Sequence, residues 1–140
     1  MINISKYSVN TPEYQVAKYL NALEKRAFTQ MCNHIQRHFL NTHEGKGVFK
    51  FVSVPSYLKN DLYKYLDLIK AEILERKVIE EFDSNIIIDV IVKLTYFDLK
   101  GPKKKVTRKH LFRIIKEDKD GNPSIYGTWG VNPISTLREV

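Results

Sequence analysis

The hydrophobic period of this chain changes near Lys77, from about 3.6 residues to two, and that change restricts the fold more than any single motif does. Residues 86–97 (IIIDVIVKLTYF) are rich in β-branched and aromatic side chains. Ile88, Val90, Val92, Leu94 and Tyr96 fall on one face of a strand, and Asp89, Lys93 and Thr95 on the other. Residues 106–116 alternate again, with Phe112 and Ile114 opposite Leu111, Arg113 and Ile115. Gly101-Pro102 marks the turn between these strands, and Asp120-Gly121 is a hairpin signal ahead of a closing strand over 124–131. Residues 78–82 read as the opening of the sheet. Three to four antiparallel strands follow from this pattern.

Ahead of the switch the spacing is helical. Thr11 is a good N-cap, Pro12 suits the first helical position, and Glu13 complements the positive end of the helix dipole. Val16, Leu20, Leu23, Ala27, Met31 and Ile35 then recur at three and four, which predicts one helix to about Leu40, ended by the glycine-containing stretch 42–47. Residues 48–54 (VFKFVSV) read as a short strand or extended connector. Leu58, Leu62, Leu66, Ile69 and Ile73 predict a second helix to about Arg76. Helices first and strands afterwards make an α+β fold, with long N-terminal helices packed on a curved antiparallel sheet. The 140 residues suit one domain, read here as 11–131, with an N-terminal extension over 1–10 and a tail or edge segment over 132–140.

The charge of +7 is unevenly placed. Residues 1–99 hold 13 basic and 12 acidic groups, whereas 100–116 hold eight basic groups and no acid. Lys100, Lys103, Lys104, Lys105, Arg108 and Lys109 crowd the expected hairpin and are the candidate site for a partner surface or an anion. The plainer explanation is a lysine-blunted sheet edge that deters aggregation. Tyr126 and Trp129 on the closing strand are a candidate interface, with core packing the default for a lone Trp. A single cysteine, Cys32, excludes an internal disulfide, and no apolar run approaches the ~20 residues that a membrane-spanning helix needs.

Catalytic and metal chemistry find little support. His34 and His38 would share a face of the first helix, but no third ligand accompanies them, so no metal is expected. Residues 118–122 (DKDGN) look like a calcium loop, but Lys116 and Gly127 stand where that loop needs acids. Asp89 among apolar neighbours could carry a raised pKa in a cavity, although an outward-facing strand acid pairing with Lys93 or a neighbouring strand's lysine is the more ordinary reading. The sequence has no nucleophile-elbow, phosphate-loop or dinucleotide motif. No cofactor and no catalytic residue is expected.

One resemblance gathers these elements. The helix segment YQVAKYLNALEKRAF is followed by a second helix, three antiparallel strands, the basic hairpin, residues 108–118 (RKHLFRIIKED) and the closing Asn122-Pro123-Ser124-Ile125-Tyr126. This order resembles the periplasmic domain of the VirB-eight and TraE/TrbF-type assembly factors of type IV secretion and conjugation machines. The family's closing strand often follows Asn-Pro-Leu-Gly. Here Ser124-Ile125 follow the first Asn-Pro, and a second stands at Asn132-Pro133. The resemblance implies an NTF2-like (cystatin-like) fold and a non-catalytic scaffold that binds other secretion-channel proteins and forms a homodimer. It implies a place at the periplasmic face of the inner membrane, with contact to the membrane itself only through an anchor outside this chain. Without it, a cytoplasmic setting is expected. The alternative reading of the same residues is a small nucleic-acid-binding accessory protein that uses the basic hairpin.

Overall fold

The computed structural model describes residues 1–43, 53–134 and 138–139. The switch to two-residue alternation produces an antiparallel sheet of β1 (Leu66–Lys77), β2 (Ile87–Asp98), β3 (Lys104–Glu117) and β4 (Thr128–Val131) in the order β1-β2-β3-β4, and a short β5 (Arg138–Glu139) also pairs with β3. β2 and β3 pair without interruption from Ile87 opposite Ile115 to Asp98 opposite Lys104. Unbroken register fixes the faces: Val90, Val92, Leu94 and Phe112 point into the core, as the alternation predicts. The chain is α+β, with its helical elements packed on that inner face.

The helices depart from the sequence reading. α1 spans Pro12–Glu24, with the Thr11 hydroxyl accepting from the Tyr14 N–H at 3.3 Å. It stops at Glu24, not near Leu40, because Arg26 takes a left-handed backbone (φ 55°) and Ala27 N–H turns back to the Ala22 carbonyl at 2.8 Å. The apolar stripe continues in broken pieces: α2 (Phe28–Met31), a 3₁₀ turn (Cys32–His34), an extended Ile35, and α3 (Arg37–His43). Of the stripe, Met31 and Ile35 are buried and Ala27 is half-buried against the same core, joined there by Phe28 and Phe39, which the spacing did not name, so the stripe marked the buried face but not the breaks in the helix. Ile35 forms an isolated parallel bridge to Val131, and Gln36 N–H donates to the Val131 carbonyl at 3.0 Å. Sheet pairing at this point displaces the helix.

The predicted second helix is mostly strand. Only α4 (Val54–Tyr57) and the wide turn that continues it, Leu58–Leu62, are helical, and β1 begins at Leu66. Two bulges, between Leu68 and Lys70 and between Ile73 and Glu75, explain the misreading. Each inserts a residue, so the partners facing Asp98, Tyr96, Leu94, Val92 and Val90 are Leu66, Leu68, Ala71, Ile73 and Arg76. The first bulge thereby puts Leu66 and Ile73, seven residues apart, on one face, a separation that also fits two turns of helix. The sheet therefore opens at Leu66, and residues 78–82 lie in the turn toward β2. The reading of 48–54 as strand or connector lies mostly outside the described residues, and Val54 starts α4.

Two buried polar pairings hold the layers together. The Tyr19 and Tyr63 hydroxyls meet at 2.6 Å with both side chains fully buried, and burial raises both phenols above their ordinary range. Glu117, 3% exposed at the end of β3, accepts from the backbone N–H of Arg37 at 2.7 Å and of His38 at 3.0 Å, and from the Gln36 amide at 3.2 Å. A strand carboxylate thus caps α3 and satisfies its first free donors. Gly130 makes room for this approach: a Cβ there would stand 2.6 Å from the Gln36 Cα. Among the described residues, no helix is long and apolar enough to cross a membrane.

Glu117→Ala leaves those buried donors unmatched and should cost about 2–4 kcal/mol in denaturant unfolding. His34 supplies a pH test. Burial, and behind it the charge of Lys18, lowers its pKa, and its Nδ1 lies 2.8 Å from the Gln15 amide oxygen. A base depressed on folding takes its proton more readily in the unfolded chain, so its contribution is full above about pH 6.5 and is lost as pH falls below that value. His34→Gln should therefore lose less melting temperature than the wild type between about pH 7 and about pH 5.

Candidate functional site

The β2–β3 turn carries the basic cluster, and its backbone is held locally. Asp98 Oδ1 accepts from the Lys100 N–H at 2.9 Å, Leu99 N–H reaches the Tyr65 carbonyl at 2.9 Å, and Gly101 supplies the left-handed residue (φ 71°) before Pro102. Strand alternation then divides the cations between two faces. Lys104 and Arg108 lie on the inner parity of β3 opposite Asp98 and Leu94, while Lys105 and Lys109 lie on the outer parity opposite Phe97 and Lys93. Lys103 sits over the Phe97 ring at 4.3 Å. Lys93 pairs with Glu72 at 3.1 Å, which relieves its repulsion with Lys109.

Of the six predicted residues, Arg108 is built into the fold. Its guanidinium lies 3.7 Å from the Asp98 carboxylate and donates to the Tyr96 hydroxyl at 3.4 Å. Lys100, Lys103, Lys104, Lys105 and Lys109 are exposed and form no ion pair among the described residues. Beneath them a cleft of about 260 Å³ opens between the start of β1 and the inner face, lined by Leu62, Tyr65, Tyr96, Lys100, Arg108 and His110. His110 is 6% exposed, with Nε2 3.3 Å from the Tyr96 hydroxyl. Sequence reasoning missed His110 as part of this site. Its even parity on β3, shared with Phe112 and Arg108, was the available signal.

The other candidates are placed elsewhere. Trp129 is buried, with Lys116 over its ring at 5.6 Å, whereas Tyr126 is 91% exposed on the turn before β4, beside the exposed Ile125. That turn accounts for the shorter closing strand, which begins at Thr128. His34 and His38 do not share a helix, since the extended Ile35 separates their segments. No cluster of three or more His, Cys, Asp or Glu side chains among the described residues could hold a metal ion. Residues 118–122 form a turn organised by Asp118 Oδ1, which accepts from Asp120 and Asn122 N–H at 2.9 and 3.0 Å and is held below the usual carboxylate range by these backbone donors.

Asp89 belongs to the outer face and not to the inner cleft. Its two oxygens receive Arg113 Nε and Nη2 at 3.0 and 3.2 Å, and the Phe82 ring covers that guanidinium at 5.1 Å. The pairing raises the Arg113 pKa further. Both partners are committed to each other, which leaves neither poised for proton transfer at the cleft.

No protein-family model matches this chain, and no curated protein does.

Asp89→Ala should cost about 1–3 kcal/mol in thermal or denaturant unfolding, because it strands a half-buried guanidinium. Arg113→Ala should cost about as much, and the double variant less than the sum of the two, the mark of a direct pair.

Proposed function

We propose that this chain is a non-catalytic assembly domain of the NTF2-like type, of the kind used in type IV secretion and conjugation machines. It docks an acidic surface of another channel component through the basic β2–β3 hairpin. The observation that carries the reading is the position of Lys100, Lys103, Lys104, Lys105 and Lys109: exposed, concentrated at one end of the sheet, and free of ion pairs among the described residues. Like charges held this closely raise the free energy of the unbound domain, and an acidic partner relieves that cost. The order of elements fits the resemblance as well, with helical segments ahead of an antiparallel sheet whose inner face they cover. Asn122-Pro123 lies in the turn that leads to β4, where that family's closing strand follows its Asn-Pro. Self-association to a homodimer and a site at the periplasmic face of the inner membrane belong to the same proposal.

Nucleic acid is the second reading, favoured by the exposed Tyr65 near the lysines and by Phe97 under Lys103. Its electrostatic footprint is confined to a single hairpin, which fits a compact acidic docking surface better than a phosphate track. The two readings separate in titrations of labelled polyglutamate and of a single-stranded oligonucleotide against salt. The triple variant Lys103→Gln, Lys104→Gln, Lys105→Gln should melt as the wild type does. It should bind polyglutamate more weakly by about 0.6–3 kcal/mol, the sum for three exposed ion pairs. Oligonucleotide binding that persists at physiological salt and weakens in the same variant would replace the assembly reading with the second.

A further inference from the structure

We propose that the edge of β3 over residues 104–109, which no strand among the described residues covers, takes up an extended acidic segment of a partner protein as an added β-strand. The inference rests on the docking reading above and specifies how the partner is held. Among the described residues, β4 covers β3 from Ile114 to Glu117, and β5 covers it at His110 and Leu111. Below that point β3 pairs with β2 on one side and has no strand on the other among the described residues. The Arg113 carbonyl faces the β4 side, where it accepts from Asn132 N–H at 2.9 Å. Two-residue alternation then turns the N–H and C=O groups of Lys105, Thr107 and Lys109 toward the same open side. A row of unpaired main-chain donors and acceptors is a template for another strand.

Charge decides which strand fits. The open stretch contains Lys104, Lys105, Arg108 and Lys109 and no acid. A second copy of the same edge would set lysines against lysines, so self-pairing is disfavoured and an acidic strand is favoured. The sheet's other edge is a poorer template. β1 carries two bulges and mixes acids with bases at Asp67, Lys70, Glu72, Glu75, Arg76 and Lys77, whereas β3 keeps perfect register with β2 throughout the open stretch. Thr107 adds rigidity there through its hydroxyl, 3.0 Å from that of Thr95.

The test uses a short labelled peptide of alternating Glu and Val, read by fluorescence anisotropy. Thr107→Pro removes an edge-facing N–H that β2 does not use, a substitution that edge strands tolerate, and it leaves every charge in place. A second probe is the same peptide N-methylated at alternate residues, which leaves charge and side chains intact while blocking main-chain pairing. Strand addition predicts that either change weakens binding by at least about tenfold. It also predicts that the amides of Lys105, Thr107 and Lys109 exchange more slowly once the unmodified peptide is bound. Equal affinity for the unmodified and N-methylated peptides on the wild-type protein overturns strand addition while leaving side-chain docking standing, and this holds even if Thr107→Pro fails to fold. Failure of both this peptide and polyglutamate to bind overturns the docking reading and this inference together. Preference for an oligonucleotide over either acidic ligand does the same.

Discussion

The Glu117 carboxylate is the interaction on which the rest of this architecture depends. It sits at the end of β3, is almost wholly buried, and spends its oxygens on the first free backbone donors of α3 and on Gln36. A buried carboxylate without such donors would be strongly disfavoured, and a helix start without an acceptor would be nearly as costly, so each group makes the other tolerable. The consequence is geometric. Gln36 is held against Val131 while α3 departs from the sheet's far corner, and the turn after β3 closes on the same point through Arg37 Nη1 and the Lys119 carbonyl at 3.1 Å. Gly121, with φ 85°, is required at that contact, because a Cβ there would stand 3.0 Å from the His38 backbone nitrogen.

What could be read from the sequence, and what could not, follows from the same distinction between local and tertiary control. β2 and β3 were legible because their register is unbroken and one face is fully buried, so Ile88, Val90, Val92, Leu94 and Tyr96 recur at every second position, with Ile91 the apolar exception among Asp89, Lys93 and Thr95 on the other face. β1 was not, because its two bulges convert a strand pattern into one that satisfies a helical template equally well. The break in the first helix was invisible for a different reason. The chain turns back at Arg26, but what holds Ile35 extended and starts α3 afresh is the bridge to Val131 and the Glu117 carboxylate, the latter 80 positions from Arg37, and no window of local sequence contains them. At the candidate site, the cluster of cations and its location on a turn were evident from composition. Their division between two faces, and the engagement of Arg108 with Asp98 and Tyr96, followed only once the register was known.

The fold also explains why the lysines stay available. A strand of 14 residues at about 3.3 Å each sets the two ends of β3 roughly 40 Å apart. The acids of the connecting turns, Glu80, Glu81, Asp83, Asp118 and Asp120, all belong to the end away from the hairpin, because β2 begins and β3 finishes there. At physiological ionic strength that separation is several Debye lengths, so those acids do not neutralise the hairpin. Of the nearer acids, Asp98 is taken by Arg108 and by the Lys100 N–H and Glu72 by Lys93, which leaves Asp61 and Asp67 as the acids at the hairpin end against five exposed lysines.

An exposed cationic hairpin is by itself an ordinary solution to the problem of a bare sheet edge, and charge alone would not separate protection from recognition. The distinction lies in how the two edges of this sheet are finished. β1 is guarded by bulges and mixed charge, devices that make pairing with any strand unfavourable. The open part of β3 has a regular backbone and charge of one sign. Such an edge repels its own kind while remaining geometrically competent to pair. Protection requires only the first property, and the retention of the second is what points to a partner of opposite charge.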